Sequence, residues 1–144
     1  MDQQITSGLK IAFLIHFIIA GLFGLQHLLA PRLWTDLAGI EITETVTWRV
    51  IGAALIGFAV SSWLAYREEI WERVRIVVIM EIVWSSLGAL VILWGIIFEG
   101  LAPLEWLNVI ILGCFAVAFT VFFSRMRSAS PLDDGGRIGK GGTS

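Results

Sequence analysis

Charge is scarce in this chain, and its absence from four long stretches says more than its total. Asp, Glu, Lys and Arg make up 15% of the 144 residues, against 57% hydrophobic, and the mean hydropathy is +0.83. A water-soluble domain of this size does not sustain that balance, so the composition points to a membrane protein. A single cysteine, Cys114, excludes an internal disulfide and any cysteine-rich metal site. The three prolines, Pro31, Pro103 and Pro131, all lie outside the apolar stretches, where they interrupt no helical ladder. No stretch is basic enough to suggest a nucleic-acid partner. C-x-x-C-H, H-E-x-x-H, G-x-S-x-G and Walker patterns are all missing, so no catalytic residue and no metal site is read here.

What is present is four apolar runs: Ile11 to Ala30, Val50 to Tyr66, Ile76 to Phe98 and Trp106 to Ser124. Crossing a hydrocarbon layer of about 30 Å takes about 20 helical residues. Three runs reach that length, and the second does once Trp48 and Arg49 are included. The first run is too long for the core of a signal peptide, and LLAPRLW after it offers no small-x-small cleavage site, so it is read as a helix that stays. The expected fold class is all-α, a four-transmembrane-helix antiparallel bundle over residues 1–127. The Gly-, Ser- and Asp-rich residues 128–144 are expected to form a disordered cytoplasmic tail.

Between the first two spans, PRLWTDLAG has Pro31 placed for a first helical turn and Gly39 for its end. Leu33, Trp34 and Leu37 fall on one side, which suggests a short amphipathic helix lying at the interface. Thr45 is a candidate cap for the second span, and Glu69 can pair with Arg73 in REEIWERVR. Six tryptophans near the span ends, Trp34, Trp48, Trp63, Trp71, Trp94 and Trp106, form an expected aromatic belt. Lys10, Arg67, Arg73, Arg75, Arg125, Arg127, Arg137 and Lys140 fall to one side, and only Arg32 and Arg49 to the other. The positive-inside rule then places both termini in the cytoplasm of a multi-pass cell-membrane protein.

Within the four runs the one charged residue is Glu81. The third run carries fourteen Ile, Leu, Val and Phe residues, which contribute on the order of −6 kcal/mol to insertion. That outweighs about +2.5 to +3.5 kcal/mol for a central carboxylate. The helix inserts, but any Leu would avoid the cost, so Glu81 is expected to face a protein-lined interior. Helical spacing places Glu81, Ser85, Gly88, Ile92 and Gly95 on one stripe. Matching stripes are His16, Ala20, Gly24 and His27; Ala53, Gly57 and Ser61; and Gly113, Ala116, Thr120 and Ser124. His16 and Glu81 each lie five residues into an outward-running span, about 8 Å deep, and Ser61 and Ser62 reach a similar level. An intramembrane polar cluster of His16, Glu81, Ser61 and Ser85 follows. It serves either as a helix-register lock or as a proton or ligand site.

A second, outer cluster is expected from His27, Gln26, Arg49 and Asn108, with Glu99 or Glu105 as counter-ion. His16 and His27 share a face but stand about 16 Å apart along it, too far to be the two axial ligands of one haem. Cys114 reads as a small packing residue in the fourth span.

GLFGLQHLLAPRLWTDLAGIEI followed by WRVIGAALIGFAVSSWLAY resembles the small four-helix membrane proteins of the DoxX-like group, found in bacteria and archaea. The shared features are an Ala-Pro pair closing the first helix, a short segment ending at Gly39, and a second helix opening Arg49-x-x-Gly52-Ala53. The resemblance covers the first two helices. It implies a four-helix bundle and, for the namesake subunits, association with quinone-linked oxidation. The expectation is therefore a small non-enzymatic accessory or assembly subunit that works in the lipid bilayer with a membrane-protein partner or a second copy, and without a cofactor. The alternative is a quinone- or lipid-binding subunit of a membrane oxidoreductase, and a proton-coupled carrier comes third.

Overall fold

The computed structural model describes residues 3–128; of the expected tail only Ser128 falls within them, and it closes the last helix. The chain folds into five helices, α1 (Ser7–Leu29), α2 (Pro31–Leu37), α3 (Val46–Arg67), α4 (Trp71–Phe98) and α5 (Glu105–Ser128). Among the described residues there is no strand beyond an isolated bridge between Gln4 and Ile70. The four long helices are each long and apolar enough to cross a membrane. α1, α3 and α4 each begin about one turn before the apolar run that marks them, and α5 one residue before its run, because polar residues extend the ladder beyond the hydrocarbon-like stretch.

Local chemistry fixes the helix ends. Thr6 caps α1 by accepting from the Leu9 amide at 3.3 Å. At α3 the expected cap, Thr45, makes no side-chain cap bond. Glu44 does the work instead, its carboxylate accepting from the amides of Val46 (2.6 Å) and Thr47 (3.1 Å). The Thr47 hydroxyl and amide, then the Val46 amide, hold the Glu44 carboxyl below the usual carboxylate range. This cap is therefore present at neutral pH and is lost as pH falls through that lowered value. Gly39, at φ +66°, supplies the left-handed residue that ends the α2 segment.

In REEIWERVR, Arg67 closes α3 and the helix resumes only at Trp71. Arg73 reaches Glu68 at 3.4 Å across the break, and Glu69 stands 3.9 Å from Lys10 instead of pairing with Arg73. Residues before α1 stitch this break in place: the Ile5 amide donates to Glu69 O and the Trp71 amide to Gln3 O, both at 2.9 Å.

The long helices associate as two close pairs, α1 with α3 and α4 with α5, and the pairs meet each other more sparsely. The α1–α3 contact is backbone against backbone. A Cβ on Gly52 would stand 2.6 Å from Leu28 N and 2.8 Å from Gly24 O. Small residues allow such approach, and the gain is dispersion along the whole contact. The buried face of α3 is Gly52, Ala59, Ser62 and Ala65 rather than the expected Ala53, Gly57 and Ser61. On α5 the expected stripe of Gly113, Ala116, Thr120 and Ser124 gives way to Phe115, Phe119 and Met126. Large rings suit that helix because it faces a wide gap between the pairs.

The core sits toward one end of the bundle. Leu9 and Phe13 from the start of α1, Ala65 from the end of α3, Trp71, Val74 and Val78 from the start of α4, and Phe119 and Met126 from α5 form one buried cluster. Trp71 is thus a core residue, only 2% exposed, and leaves the expected belt. Outward faces carry Leu22, Leu64, Ile76, Val91 and Val117, all exposed. Gly52→Ala is expected to cost about 1–3 kcal/mol because its new methyl meets backbone. Gly57→Ala, which meets nothing within 4 Å, is expected to stay within about 0.5 kcal/mol. Thermal unfolding in mild detergent compares the two, and equal losses would contradict the close approach.

Candidate functional site

Three helices converge above the packed core. His16 on α1, Ser62 on α3 and Glu81 on α4 are all buried, the last two completely. His16 Nδ1 lies 2.8 Å from Ser62 Oγ, and Ser62 Oγ donates to Glu81 Oε1 at 3.1 Å. His16 Nε2 stands 3.2 Å from Glu81 Oε2, a contact without the alignment of a full hydrogen bond. The imidazole is wedged edge-on against Phe115, with ring centroids 4.7 Å apart.

Proton bookkeeping on this ring of contacts is informative. If the Ser62 hydroxyl donates to Glu81, then His16 Nδ1–H must donate to Ser62. A neutral imidazole then turns the Nε2 lone pair toward Oε2, and that contact is attractive only if the pair holds one further proton. Neutral acid with neutral ring, or carboxylate with imidazolium, both satisfy it. The site therefore pairs fully as a one-proton, net-neutral unit, the form that costs least away from water.

Of the expected inner cluster, His16 and Glu81 come together. Ser61 does not join them: its hydroxyl turns back to its own helix, donating to Phe58 O at 2.8 Å. Its neighbour Ser62 takes the place, because the face of α3 that meets α1 is the one marked by Gly52 and Ala59, 100° away. Ser85 is fully buried one turn beyond Glu81, and its Oγ makes no hydrogen bond.

Beyond this cluster the helix pairs diverge around a cavity of about 380 Å³. Residues of all four long helices and of α2 line it. His16 and Phe115 lie at its deep end, and Ala20, Leu55, Trp84 and Leu112 lie along its walls. Trp84 stacks on Phe58 at 4.7 Å, tying α4 to α3 beside the opening.

The far end carries the second polar group. Glu105, 5% exposed, receives Trp34 Nε1–H at 3.0 Å and Asn108 Nδ2–H at 2.7 Å. His27 donates from Nδ1 to Phe23 O at 2.8 Å and stacks on Trp48. His27 and Asn108 thus share the cavity with Glu105, as the outer cluster requires. Gln26 instead donates to Ala30 O at 2.9 Å. Arg49 is exposed and makes no side-chain hydrogen bond or ion pair among the described residues, so it stands apart from this cluster.

Trp34 and Trp48 turn inward to line the cavity rather than sitting in the belt. Sequence spacing missed both as cavity residues and chose Ser61 over Ser62; Leu33 and Leu37, which it grouped with Trp34 on one side, stay exposed while Trp34 turns in. Compared with known proteins, the chain matches no family model, no curated protein and no solved structure.

Ser62→Ala removes the bridging hydroxyl and is expected to lower stability by about 1–2 kcal/mol. Ser61→Ala is expected to stay within about 0.5 kcal/mol. Glu81→Gln presents an amide N–H to His16 and a carbonyl to Ser62, so it should cost less than Glu81→Ala, which leaves both partners open at about 3 kcal/mol. Denaturation in mixed micelles reads all four, and a larger loss for Ser61→Ala than for Ser62→Ala would refute the assignment.

Proposed function

We propose that this chain is a multi-pass membrane protein that binds a largely apolar small molecule between its two helix pairs. One observation carries this: a cavity of about 380 Å³, within the size range of small-molecule sites, apolar along its walls and polar at its two ends. A bundle built only to hold a partner would gain dispersion energy by closing that space. The proposed site therefore favours the ligand-binding reading over an accessory role resting on contact surfaces alone.

Membrane insertion is supported by the exposed Leu, Ile and Val on all four long helices, since such surface is not tolerated in water. An antiparallel bundle with α2 at the outer interface fits the grouping of helix starts and ends in the core, and the lysine and arginine distribution supports cytoplasmic termini. The DoxX-like pattern of the first two helices fits this arrangement, since its Gly52 is the residue on which α1 and α3 close. A carrier reading gains less support, because the core residues Leu9, Phe13, Val78 and Phe119 fill the bundle on the cytoplasmic side of Glu81.

Native mass spectrometry from mild detergent tests the proposal. A bound small molecule at unit stoichiometry is expected. Ala20→Phe, which puts a ring into the cavity from a position 5% exposed, should abolish that adduct in protein that still unfolds cooperatively. A bare chain, or an adduct untouched by Ala20→Phe, would overturn it. A larger protein co-purifying with an empty cavity would restore the accessory reading.

A further inference from the structure

The two ends of the cavity differ in what they offer a ligand. At the deep end His16 is the polar residue that lines the cavity, and both its ring nitrogens are engaged with Ser62 and Glu81; Ser85, whose hydroxyl makes no hydrogen bond, is not part of the lining. At the far end the groups left open are mostly acceptors. His27 has spent Nδ1–H on Phe23 O, leaving Nε2 as a lone pair in the neutral ring. Trp34 Nε1–H is spent on Glu105, as is one of the two Asn108 amide hydrogens. The carboxylate itself is nearly buried and has no cation within ion-pair distance among the described residues; no Lys or Arg lines the cavity. Glu105 lies in the first turn of α5, where the unpaired amides favour negative charge.

Aromatic side chains share the cavity with that carboxylate. Trp34 meets Phe23 edge-on at 5.3 Å, Trp48 stacks on His27 at 5.6 Å, and all four line the same cavity as Glu105. A carboxylate without a counter-ion, held by one indole N–H and sharing an apolar chamber with further aromatic rings, is a recognition pattern for positive charge on a greasy body. A quinone fits the chamber but not its end, since its carbonyls require donors and one Asn108 hydrogen is the sole side-chain donor left open there in the neutral state of His27.

We propose that the ligand is a lipophilic organic cation, an amine or quaternary ammonium on an apolar body, with its head against Glu105, Trp34 and Trp48 and its body toward Phe115. This rests on the reading that the cavity binds a ligand at all. The head would gain charge complementarity in a site shielded from water, and the body would replace the empty space between the pairs.

Equilibrium dialysis of the full chain in nanodiscs, with empty nanodiscs subtracted, tests this using two isosteric probes. These are phenylhexyltrimethylammonium and the neutral hydrocarbon in which carbon replaces its nitrogen. The cation is expected to bind saturably and at least about tenfold tighter than the hydrocarbon. Glu105→Gln should erase about that factor for the cation and leave the hydrocarbon's affinity unchanged, which also shows that the variant is folded. Equal affinities for the two probes, or a cation affinity indifferent to Glu105→Gln, would overturn the cation assignment while leaving an apolar-ligand site standing. No saturable binding of either probe would overturn both.

Discussion

One buried carboxylate ties this bundle together. Glu81 comes from the α4–α5 pair, and its two oxygens meet Ser62 and His16 from the α1–α3 pair. An ionisable side chain away from water is tolerated only when paired, and here pairing requires both helices of the opposite pair at once. The contact therefore fixes the rotation of three helices relative to one another. Toward the Trp71 end the pairs close on apolar rings; toward the Trp34 end they part around the cavity. The carboxylate marks the boundary between those two regimes.

That division explains why the four long helices use different packing surfaces. α1 and α3 touch through Gly24 and Gly52, with backbones nearly in contact. Across the wider gap between pairs, the rings of Phe58, Trp84, Phe115 and Phe119 make the bridging contacts beside the Ser62–Glu81 junction. The same width that demands rings leaves room for a ligand. Structure and proposed function thus share one cause, the divergence of two tightly built pairs above a single polar junction.

Much of this was legible from spacing. Helix number, the short α2 segment, and the meeting of His16 with Glu81 follow from hydropathy, turn residues and depth arithmetic. What spacing could not resolve was rotation. Ser61 and Ser62 lie at the same depth, and only the Gly52–Ala59 contact decides which of them faces α1. The α5 stripe of Gly113, Ala116 and Thr120 obeyed a rule for close approach in a place where no helix approaches closely. Trp34, Trp48 and Trp71 looked like boundary residues because position along a helix says nothing about which way a ring turns. The cavity had no sequence signature, since empty space is a property of helix divergence and not of any one residue.

The central claim is that Glu81 couples the two helix pairs, and a double-mutant cycle addresses it most directly. Ser62→Ala, Glu81→Leu and the combined variant would be unfolded under identical mixed-micelle conditions. A pairwise coupling of about 1 kcal/mol or more between Ser62 and Glu81 is the predicted result, at the upper part of the range for hydrogen bonds between membrane helices. Strictly additive losses would mean that the two residues act independently, and that the junction on which this account is built does not hold the pairs together.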